Sequence, residues 1–319
     1  MEFYISRFKD IEEKEFEVEV VTPLFLGGAD TKKAELRIPS FKGALRFWWR
    51  VIYGSDDIED MKKREDEIFG STDRKTSFDL KIYSMTDCSP KLSNLPKGKE
   101  FKVQSKGKTF HLGILDYLAF GLRDFRTGYT KEHIPDKNKF KLTLVIKNKN
   151  AKGEIENAFR MLVYFGGIGA KSRNGFGSLY VPNLQPFQNK NLFNSTSSTK
   201  DFTSLSNKCI LFNQFSPVND WTQALSEIGM AYKDARLSIE RKHSYEKRLL
   251  IAKPIVQARN NDRHSKPYFL HVSKLPNGKY QGQILFMPYN YYEPAKRAEY
   301  FKTCEKMNNK LRELSGGAK

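Results

Sequence analysis

A glycine-rich segment between residues 166 and 177 is the part of the sequence best suited to bind a ligand. Five of its twelve residues are glycine (Gly166, Gly167, Gly169, Gly175 and Gly177), and Lys171 and Arg173 lie among them. Glycine lets the main chain adopt conformations that other residues avoid, and exposed main-chain N–H groups bind phosphate oxygens. A helix C-cap followed by a tight turn would explain only one or two of the glycines. The segment therefore predicts a phosphate-contacting loop.

Two familiar nucleotide-binding motifs do not fit this segment. A P-loop needs glycine directly before Lys-Ser and again five residues earlier, but those positions hold Ala170 and Phe165. A dinucleotide fingerprint that starts at Gly167 needs glycine where the chain has Ser172. That fingerprint also lies between a strand and a helix, whereas this loop is predicted to run from a helix to a strand. Both motifs are excluded.

A predicted helix over FKGALRFWWRVIY carries the second basic feature. Lys42, Arg46 and Arg50 recur every four residues, so they share one face of that helix. No acidic residue lies between Glu35 and Asp56, which suggests that these cations lack local partners. The alternative is an ordinary solvated helix face.

Two adjacent tryptophans, Trp48 and Trp49, lie on the same helix. Neighbouring residues point about 100° apart, so one ring can enter the core while the other flanks the basic face. An aromatic ring beside arginines suits a base or a ribose of RNA. Core packing of both rings is the alternative.

The predicted elements that must position these residues follow a split βαβ, or ferredoxin-like, order in the first half. Strands are predicted over residues 16–20, 78–83, 139–147 and 178–181, and helices from Ser40 onward and over 155–165. The second half repeats the order more loosely. It has a strand over 209–212, a helix over 221–239, hairpin arms over 268–272 and 280–287 joined through Pro276-Asn277-Gly278, and a last helix from Pro294 to near Leu314.

Length and charge divide the chain into two predicted domains. The sequence has 319 residues and a formal net charge of +18, of which residues 1–182 carry +7 and residues 183–319 carry +11. An Asn/Ser/Thr-rich stretch predicts a linker over 183–204, which separates domains over 1–182 and 205–319. The large positive charge favours phosphate polymers as partners.

Composition excludes several classes of protein. Hydrophobic residues make up 39% of the chain and aromatic residues 13%, which excludes disorder along its whole length. No apolar run approaches the ~20 residues of a membrane span, and the charged N-terminus is unlike a signal peptide. Three dispersed cysteines predict neither a disulfide framework nor a zinc site. We therefore expect a soluble, cytoplasmic protein that uses no metal or other cofactor.

No predicted catalytic site emerges from the titratable residues. The five histidines are His111, His133, His243, His264 and His271, and none belongs to a motif that pairs it with a second acid or base. His243 lies among basic residues that suit RNA cleavage, although a surface histidine in a charged segment is the simpler interpretation. The acidic runs over 56–60 and 65–67 are predicted to form a solvated face rather than a metal site.

The first helix and the glycine-rich segment together resemble the RAMP superfamily. The quoted residues are Ile38-Pro-Ser-Phe-Lys-Gly-Ala-Leu-Arg-Phe-Trp-Trp-Arg50 and Gly166 to Gly177, and Thr22-Pro-Leu-Phe-Leu-Gly-Gly28 fits the same family. In particular, these segments look like the first RAMP subunit of the type III-B CRISPR effector, the Cmr complex. Arg263-His-Ser-Lys-Pro267 resembles an Arg-x-Ser-x-Pro element of that family, so the resemblance reaches both halves.

This resemblance implies an α+β fold with tandem ferredoxin-like domains, the second one degenerate and without a comparable glycine loop. It implies a non-catalytic, RNA-binding subunit of a ribonucleoprotein in antiviral defence, located near the 3′ end of the guide RNA. The implied partners are guide RNA, target RNA and the other Cmr subunits, with no membrane. The implied RNA contacts are Lys42, Arg46, Trp49, Arg50, Gly166, Gly167, Gly169, Lys171 and Arg173. A metal-independent endoribonuclease that processes repeat RNA, and a basic scaffold that contacts only proteins, remain alternatives.

Overall fold

The computed structural model describes residues 11–105, 107–124, 126–185, 197–241, 244–253 and 264–316. The strands are β1 (Glu12–Val20), β2 (Phe78–Ser84), β3 (Glu100–Ser105), β4 (Lys108–Gly113), β5 (Arg123–Asp124), β6 (Gly128–Tyr129), β7 (Lys139–Ile146), β8 (Leu179–Tyr180), β9 (Ile210–Phe212), β10 (Tyr268–Lys274) and β11 (Tyr280–Phe286). The helices are α1 (Ile38–Tyr53), α2 (Ile58–Phe69), α3 (Ile114–Leu118), α4 (Lys152–Phe165), α5 (Trp221–Leu237), α6 (Glu246–Ile251) and α7 (Arg297–Leu314). The fold is therefore a mixed α and β fold.

The first half is built on a four-stranded antiparallel sheet in the order β2-β7-β1-β8. One face is apolar because hydrophobic residues alternate along the strands, and this face packs against α1 and α4. The strands and helices predicted for this half from their periodicity are all present. Helix α1 begins two residues before the predicted Ser40, with Pro39 in its first turn and no side-chain cap from Arg37.

The opposite face of this sheet is a ladder of ion pairs between strands. Glu13 accepts a hydrogen bond from Lys81 at 2.8 Å, Glu15 from Lys141 at 2.9 Å, and Glu17 from Lys139 at 2.6 Å. In the β1–β7 register Glu17 lies opposite Lys141 and Glu19 opposite Lys139, so Lys141 and Lys139 pair diagonally, each with the glutamate two residues earlier on β1. This face offers no unpaired positive charge from these lysines.

The second half contains a three-stranded antiparallel sheet in the order β10-β11-β9. The predicted hairpin is present: the Leu275 N–H donates to the Lys279 carbonyl, and Gly278 has a φ of 80° at the turn. Helices α5 and α7 pack against one face of the sheet, through residues such as Tyr268 and Leu270.

Each of the two hydrophobic cores draws residues from both halves of the chain. The core beneath α1 and α4 includes Phe269 and Met287 from the second half. The core around α5 includes Val21, Phe25 and Phe176 from the first half. The second sheet therefore lies between its own helices and the helices of the first half, and the halves interlock.

Helix α2 is an element that the sequence analysis missed. Its charged run was expected to be a solvated face, and its amphipathic pattern is short. Asp57 caps the helix by accepting hydrogen bonds from the N–H groups of Glu59 and Asp60. Ile68, Phe69 and the carboxylate-bearing Glu65 are buried at its inner side. For Glu65 the expectation of a solvated position is wrong.

No helix among the described residues combines the length and the apolar character that crossing a bilayer requires.

We predict that Lys274→Ala destabilises the protein by about 2 kcal/mol, because it leaves the buried Glu19 carboxylate without its cation. Lys274 Nζ donates to both Glu19 oxygens, at 2.6 and 2.8 Å, and so joins β10 to β1. Urea unfolding followed by circular dichroism measures the loss. Lys279→Ala removes an exposed lysine of the same hairpin and is the control. Equal unfolding midpoints for both variants would contradict the prediction.

Candidate nucleic-acid interface

The glycine-rich segment leaves the C-terminus of α4, passes between the two halves and enters β8. Within the segment, the Ile168 N–H donates to the Gly177 carbonyl at 3.0 Å. The first half holds it too, because the Ala170 N–H donates to the Phe25 carbonyl at 2.7 Å. The second half holds it as well. His271 Nδ1 donates to the Gly166 carbonyl at 2.7 Å, and the Leu270 N–H donates to the Arg173 carbonyl at 3.1 Å.

Packing accounts for the glycines of this loop. Gly169 has a φ of 89°, and a Cβ there would collide with the Phe25 carbonyl. Gly177 has a φ of 69°, and a Cβ there would collide with the Ile168 carbonyl. Close approach of main chains therefore requires glycine without any ligand. The number of glycines alone does not indicate phosphate binding, contrary to the sequence argument.

A cleft of about 310 Å³ separates α1 from this loop. It is lined by Ser40, Ala44, Phe47 and Trp48 of α1, by Gly166, Gly167, Gly169, Ser172 and Arg173 of the loop, and by Phe269 of β10. The cleft thus joins the first helix, the glycine loop and the second half in one concave surface.

Main-chain N–H groups at this cleft lack acceptors. Within the described part of the chain, those of Gly167, Gly169, Ser172 and Arg173 donate to no protein atom, whereas those of Ile168 and Ala170 between them do. Lys171 has a φ of 61°, a left-handed conformation that is uncommon for a residue with a side chain. Unpaired N–H groups on a turn with this change of handedness form a concave site for an anion.

Arg173 adds a cation to the same cleft. Its guanidinium lies over the Phe269 ring at 4.4 Å and the Phe47 ring at 5.4 Å, and its Nη1 donates to the Lys266 carbonyl at 2.9 Å. Burial lowers the pKa of Arg173 to about 10, so it remains charged at neutral pH. No described carboxylate forms an ion pair with it. An anion in the cleft would meet an unneutralised charge.

Lys171 is the second cation of the loop. Burial, followed by the nearby Lys131 ammonium, lowers its pKa. Across the described segments, no carboxylate lies within ion-pairing distance of its ammonium. The structure therefore places Arg173 with Gly166, Gly167 and Gly169 at the cleft, whereas Lys171 is not among the residues that line it and its ammonium lies near Gly121.

Two of the three cations on α1 have an acidic partner, which the sequence analysis did not foresee. Arg50 forms a two-pronged pair with Glu65 of α2, with Nη2 to Oε1 at 2.7 Å. Arg46 Nε lies 3.3 Å from the same carboxylate, and its guanidinium lies over Phe69 at 5.4 Å. Glu65 lies beyond Asp56 in the sequence, and it reaches these arginines because α2 folds back against α1. The expectation that these cations lack partners is wrong for Arg46 and Arg50.

Lys42 lies in a second cleft, on the opposite side of α1 from the glycine loop. This cleft has a volume of about 340 Å³ and is lined by Pro39, Lys42, Gly43, Arg46, Phe69, Gly70, Ser71, Arg74 and Thr76. Burial, and then the neighbouring Arg46, lower the pKa of Lys42. At 100° per residue, Lys42 and Arg46 point about 200° and 240° away from Ser40. The two basic features predicted from sequence therefore do not converge on one surface.

Both tryptophans of α1 belong to the core. Trp49 is 1% exposed, and its Nε1 donates to Glu154 at 2.8 Å. Trp48 is 2% exposed and packs against Phe47 and Phe269. The expected Trp49 ring beside the basic face is not found, because α4 and Phe69 enclose it. Trp49 leaves the set of candidate RNA contacts.

The described histidines form no catalytic pair with a carboxylate or with one another. His271 and His133 are buried. His264 bonds the Tyr289 hydroxyl at 2.6 Å and the Leu249 carbonyl at 2.9 Å. His243 and Arg263, named in the sequence analysis, lie outside the described residues. Among the residues that are described, no group of three His, Cys, Asp or Glu side chains could hold a metal ion.

Comparison with known proteins identifies the family. The sequence profile of the RAMP superfamily matches residues 17–180, just over half of the chain and all of the first sheet from Glu17 onward. This chain belongs to the RAMP superfamily. The match includes α1 and the whole glycine-rich segment, so the cleft described above is built largely from residues of the conserved superfamily unit.

Two curated RAMP relatives come from Pyrococcus furiosus. The CRISPR system Cmr subunit Cmr1-2 is 29% identical over 186 residues, which cover 53% of this chain and 95% of the relative. The CRISPR system Cmr subunit Cmr1-1 is 30% identical over 173 residues, which cover 53% of this chain and 47% of that relative.

Solved structures share the fold of this RAMP protein at low sequence identity. The crystal structure of apo Cmr1 from Pyrococcus furiosus has a TM-score of 0.58 and 20% identity, covering 89% of both chains. A chain of the type III-B Cmr-beta complex bound to cognate target RNA has a TM-score of 0.50 and 13% identity, covering 95% of this chain and 100% of that one. The likeness in fold therefore extends across both halves.

We predict that His271 makes the folding stability of the protein depend on pH. Burial lowers the pKa of His271 to about 4, below the ordinary value of about 6.5 that it has in the unfolded chain. As pH falls from 6.5 toward 4, the unfolded chain binds a proton that the folded protein excludes, so about 3 kcal/mol of stability is lost. His271→Asn keeps an N–H donor for the Gly166 carbonyl but does not titrate.

Urea unfolding at pH 7.5 and pH 4.5 tests this effect. The difference in unfolding free energy between the two pH values is expected to shrink in His271→Asn. It should remain in His111→Asn, which changes an exposed histidine of β4. The same pH dependence in wild type and His271→Asn would refute the assignment.

Proposed function

We propose that this protein is a non-catalytic, RNA-binding subunit of a type III-B CRISPR effector, the Cmr complex. Its membership of the RAMP superfamily supports this proposal, as do relatives that are Cmr subunits. A structural neighbour is part of a Cmr complex bound to target RNA. Guide RNA, target RNA and other Cmr subunits are its proposed partners, and the proposed position is near the 3′ end of the guide.

We assign a tandem ferredoxin-like architecture to the chain, with domains over 1–182 and 205–319 and a linker over 183–204. The sheet order β2-β7-β1-β8 supports this for the first domain, because α1 follows β1 along the chain and α4 follows β7, as in the split βαβ pattern. The order β10-β11-β9, with α5 after β9 and α7 after β11, corresponds to three of the four strands of that pattern. The second domain is accordingly the degenerate one.

The observation that carries the RNA-binding proposal is the set of unpaired hydrogen-bond donors at the α1–loop cleft. Gly167, Gly169, Ser172 and Arg173, whose main-chain N–H groups donate to no described protein atom, line one concave surface, and the Arg173 side chain there has no described carboxylate partner. Buried donors are normally satisfied, and a buried cation is normally compensated by an anion. A phosphodiester of the RNA backbone would satisfy both requirements at once.

This geometry favours contact with the RNA backbone over base recognition. The donors are N–H groups and cations, which bind phosphate oxygens and carry no sequence information. The ring closest to Arg173, Phe269, is only 3% exposed, so it supports the guanidinium rather than stacks on bases. We therefore expect little discrimination between sequences.

The remaining surfaces rank lower as RNA contacts. On the open face of the first sheet, the lysines of the ion-pair ladder are already matched to glutamates. On α1, Glu65 partly neutralises Arg46 and Arg50. Lys42 and the cleft around it form a second candidate contact, on the other side of α1. Lys42, Lys171 and Arg173 thus remain the side chains proposed to contact RNA, together with the main chain of Gly166, Gly167 and Gly169.

We predict that Arg173→Ala weakens binding of single-stranded RNA about tenfold at 0.1 M salt. The slope of log affinity against log salt should fall in magnitude by about 0.7, the value for one phosphate contact on a single strand. Fluorescence anisotropy with a labelled RNA of mixed sequence measures both quantities. Arg173→Lys keeps the charge and should restore the slope more than the affinity, since lysine lacks the planar guanidinium.

The matched control is Arg312→Ala, which removes one positive charge from the exposed end of α7. Its salt slope should stay at the wild-type value. Unchanged affinity and slope in Arg173→Ala, in a protein that unfolds at the wild-type midpoint, would overturn the site. The same samples incubated with repeat RNA in EDTA should contain intact RNA. Cleavage that is lost in His243→Ala would instead support the endoribonuclease.

A further inference from the structure

The amine of Lys266 is buried and has no hydrogen-bond partner in the described part of the chain. Its Nζ has almost no solvent-accessible surface and donates to no described protein atom. It lies over the Tyr232 ring, 4.2 Å from the ring centroid. Because a lysine ammonium is strongly hydrated in water, burial without a polar partner disfavours its charged form. No described group compensates for a charge at this position.

Other cations surround Lys266. Arg173 donates from Nη1 to the Lys266 carbonyl at 2.9 Å, which places the loop arginine directly beside it. Arg236 lies one helical turn beyond Tyr232 on α5, and its Nε is also buried without a partner. Lys171 is close enough to Lys266 for repulsion between the two charges to be felt. Three positive side chains, those of Lys171, Arg173 and Arg236, are therefore close to the Lys266 amine.

Acidic groups do not balance this cluster. In the described portions of the chain, no carboxylate forms an ion pair with Lys171, Arg173, Arg236 or Lys266. Asp234 of α5 is paired with Lys233. Glu240, which follows α5 and attracts Arg236 electrostatically, is engaged by Arg248 at 2.9 Å. The other titratable groups that face the cluster are the hydroxyls of Tyr232 and Tyr117 on the helical side and Tyr289 near Arg173. None of these supplies negative charge at neutral pH.

We infer that Lys266 is a proton-linked residue behind the RNA site: its enclosed amine, which has no hydrogen-bond partner among the described residues, is uncharged in the free protein and takes up a proton when the RNA backbone enters the cleft beside Arg173. This inference rests on the proposed function. The phosphate would add negative charge beside Arg173, at the point where the positive cluster lacks an anion.

The direction of this proton transfer follows from the surroundings of the amine. Burial, and then repulsion from Arg173, Arg236 and Lys171, lower the pKa of Lys266 well below its ordinary value in the free protein. A bound phosphate acts in the opposite direction, because a nearby negative charge favours the ammonium form. Binding and protonation are reciprocal, so RNA affinity rises as pH falls. The proton comes from solvent and is held on Nζ.

Calorimetry can count this proton. Wild-type protein is titrated with single-stranded RNA at pH 8 in two buffers that differ in ionisation enthalpy, and the difference in measured heat gives the protons taken up. We expect uptake approaching one proton per bound RNA in wild type and a clear reduction in Lys266→Met. Lys279→Met, which replaces an exposed lysine at the β10–β11 turn, is the control and should take up the wild-type number.

Inorganic phosphate provides a probe that does not depend on RNA. Melting temperatures are compared in sodium phosphate and in sodium chloride of equal ionic strength, for wild type, Lys266→Met and Arg173→Ala. Phosphate should raise the melting temperature of wild type and raise that of both variants less. Since a buried lysine is expensive, Lys266→Met should itself fold at least as stably as wild type.

The outcomes separate this inference from the proposed function. One outcome would overturn the role of Lys266 and leave the RNA-binding function intact: wild type binds RNA, Arg173→Ala shows the expected smaller salt slope, but wild type takes up no proton on binding. Proton uptake that persists unchanged in Lys266→Met would do the same. Absence of any salt-dependent RNA binding by wild type would overturn the proposed function, and a lack of specific stabilisation by phosphate would then overturn the inference as well.

Discussion

The arrangement of the whole molecule depends on one segment of main chain that is hydrogen-bonded on both sides. Residues 166–177 bond to the Phe25 carbonyl of the first half and, through His271 and Leu270, to β10 of the second half. Side chains would not fit at Gly169 or Gly177 between these neighbours. Because the segment is fixed in this way, the N–H groups that donate to no described protein atom are held in fixed positions, where a ligand could accept their hydrogen bonds. A ligand site built from fixed main chain requires little reorganisation on binding.

Charge in this protein has to be considered locally rather than as a total. The net charge of +18 includes many lysines that strands and helices pair with glutamates, so those lysines attract an RNA only weakly. The buried cations without a described acidic partner are more informative, because burial makes each of them costly to leave uncompensated. Arg173 is one of them, and it lies in the glycine loop, where the second half meets the first. The proposed RNA site therefore depends on residues from both halves.

Local sequence patterns predicted the main sheet elements, because alternation and helical spacing act over a few residues. Helix α2 and its Glu65 were missed for the opposite reason: the pairing of Glu65 with Arg50 depends on how two helices pack, and no short window of sequence contains it. Trp49 was misplaced because its neighbour Glu154 comes from α4, more than a hundred residues away. Arg173 and three of the predicted loop glycines line one cleft, but the number of glycines reflects close packing of main chains rather than phosphate binding. The unpaired N–H groups and the buried Lys266 amine could be found only from the three-dimensional structure.

Interlocked cores have a consequence for how this protein can change over evolutionary time. Phe269 belongs to the second half by sequence, yet it is a core residue beneath α1 and also a wall of the cleft. A shift of one half against the other would open the hydrophobic interior and distort the ligand site in the same movement. Selection for a well-packed interior therefore also preserves the spacing of the cleft walls. We expect substitutions to be tolerated more readily on the outer face of the first sheet than in the hairpin arms, whose buried residues fix the relative position of the two halves.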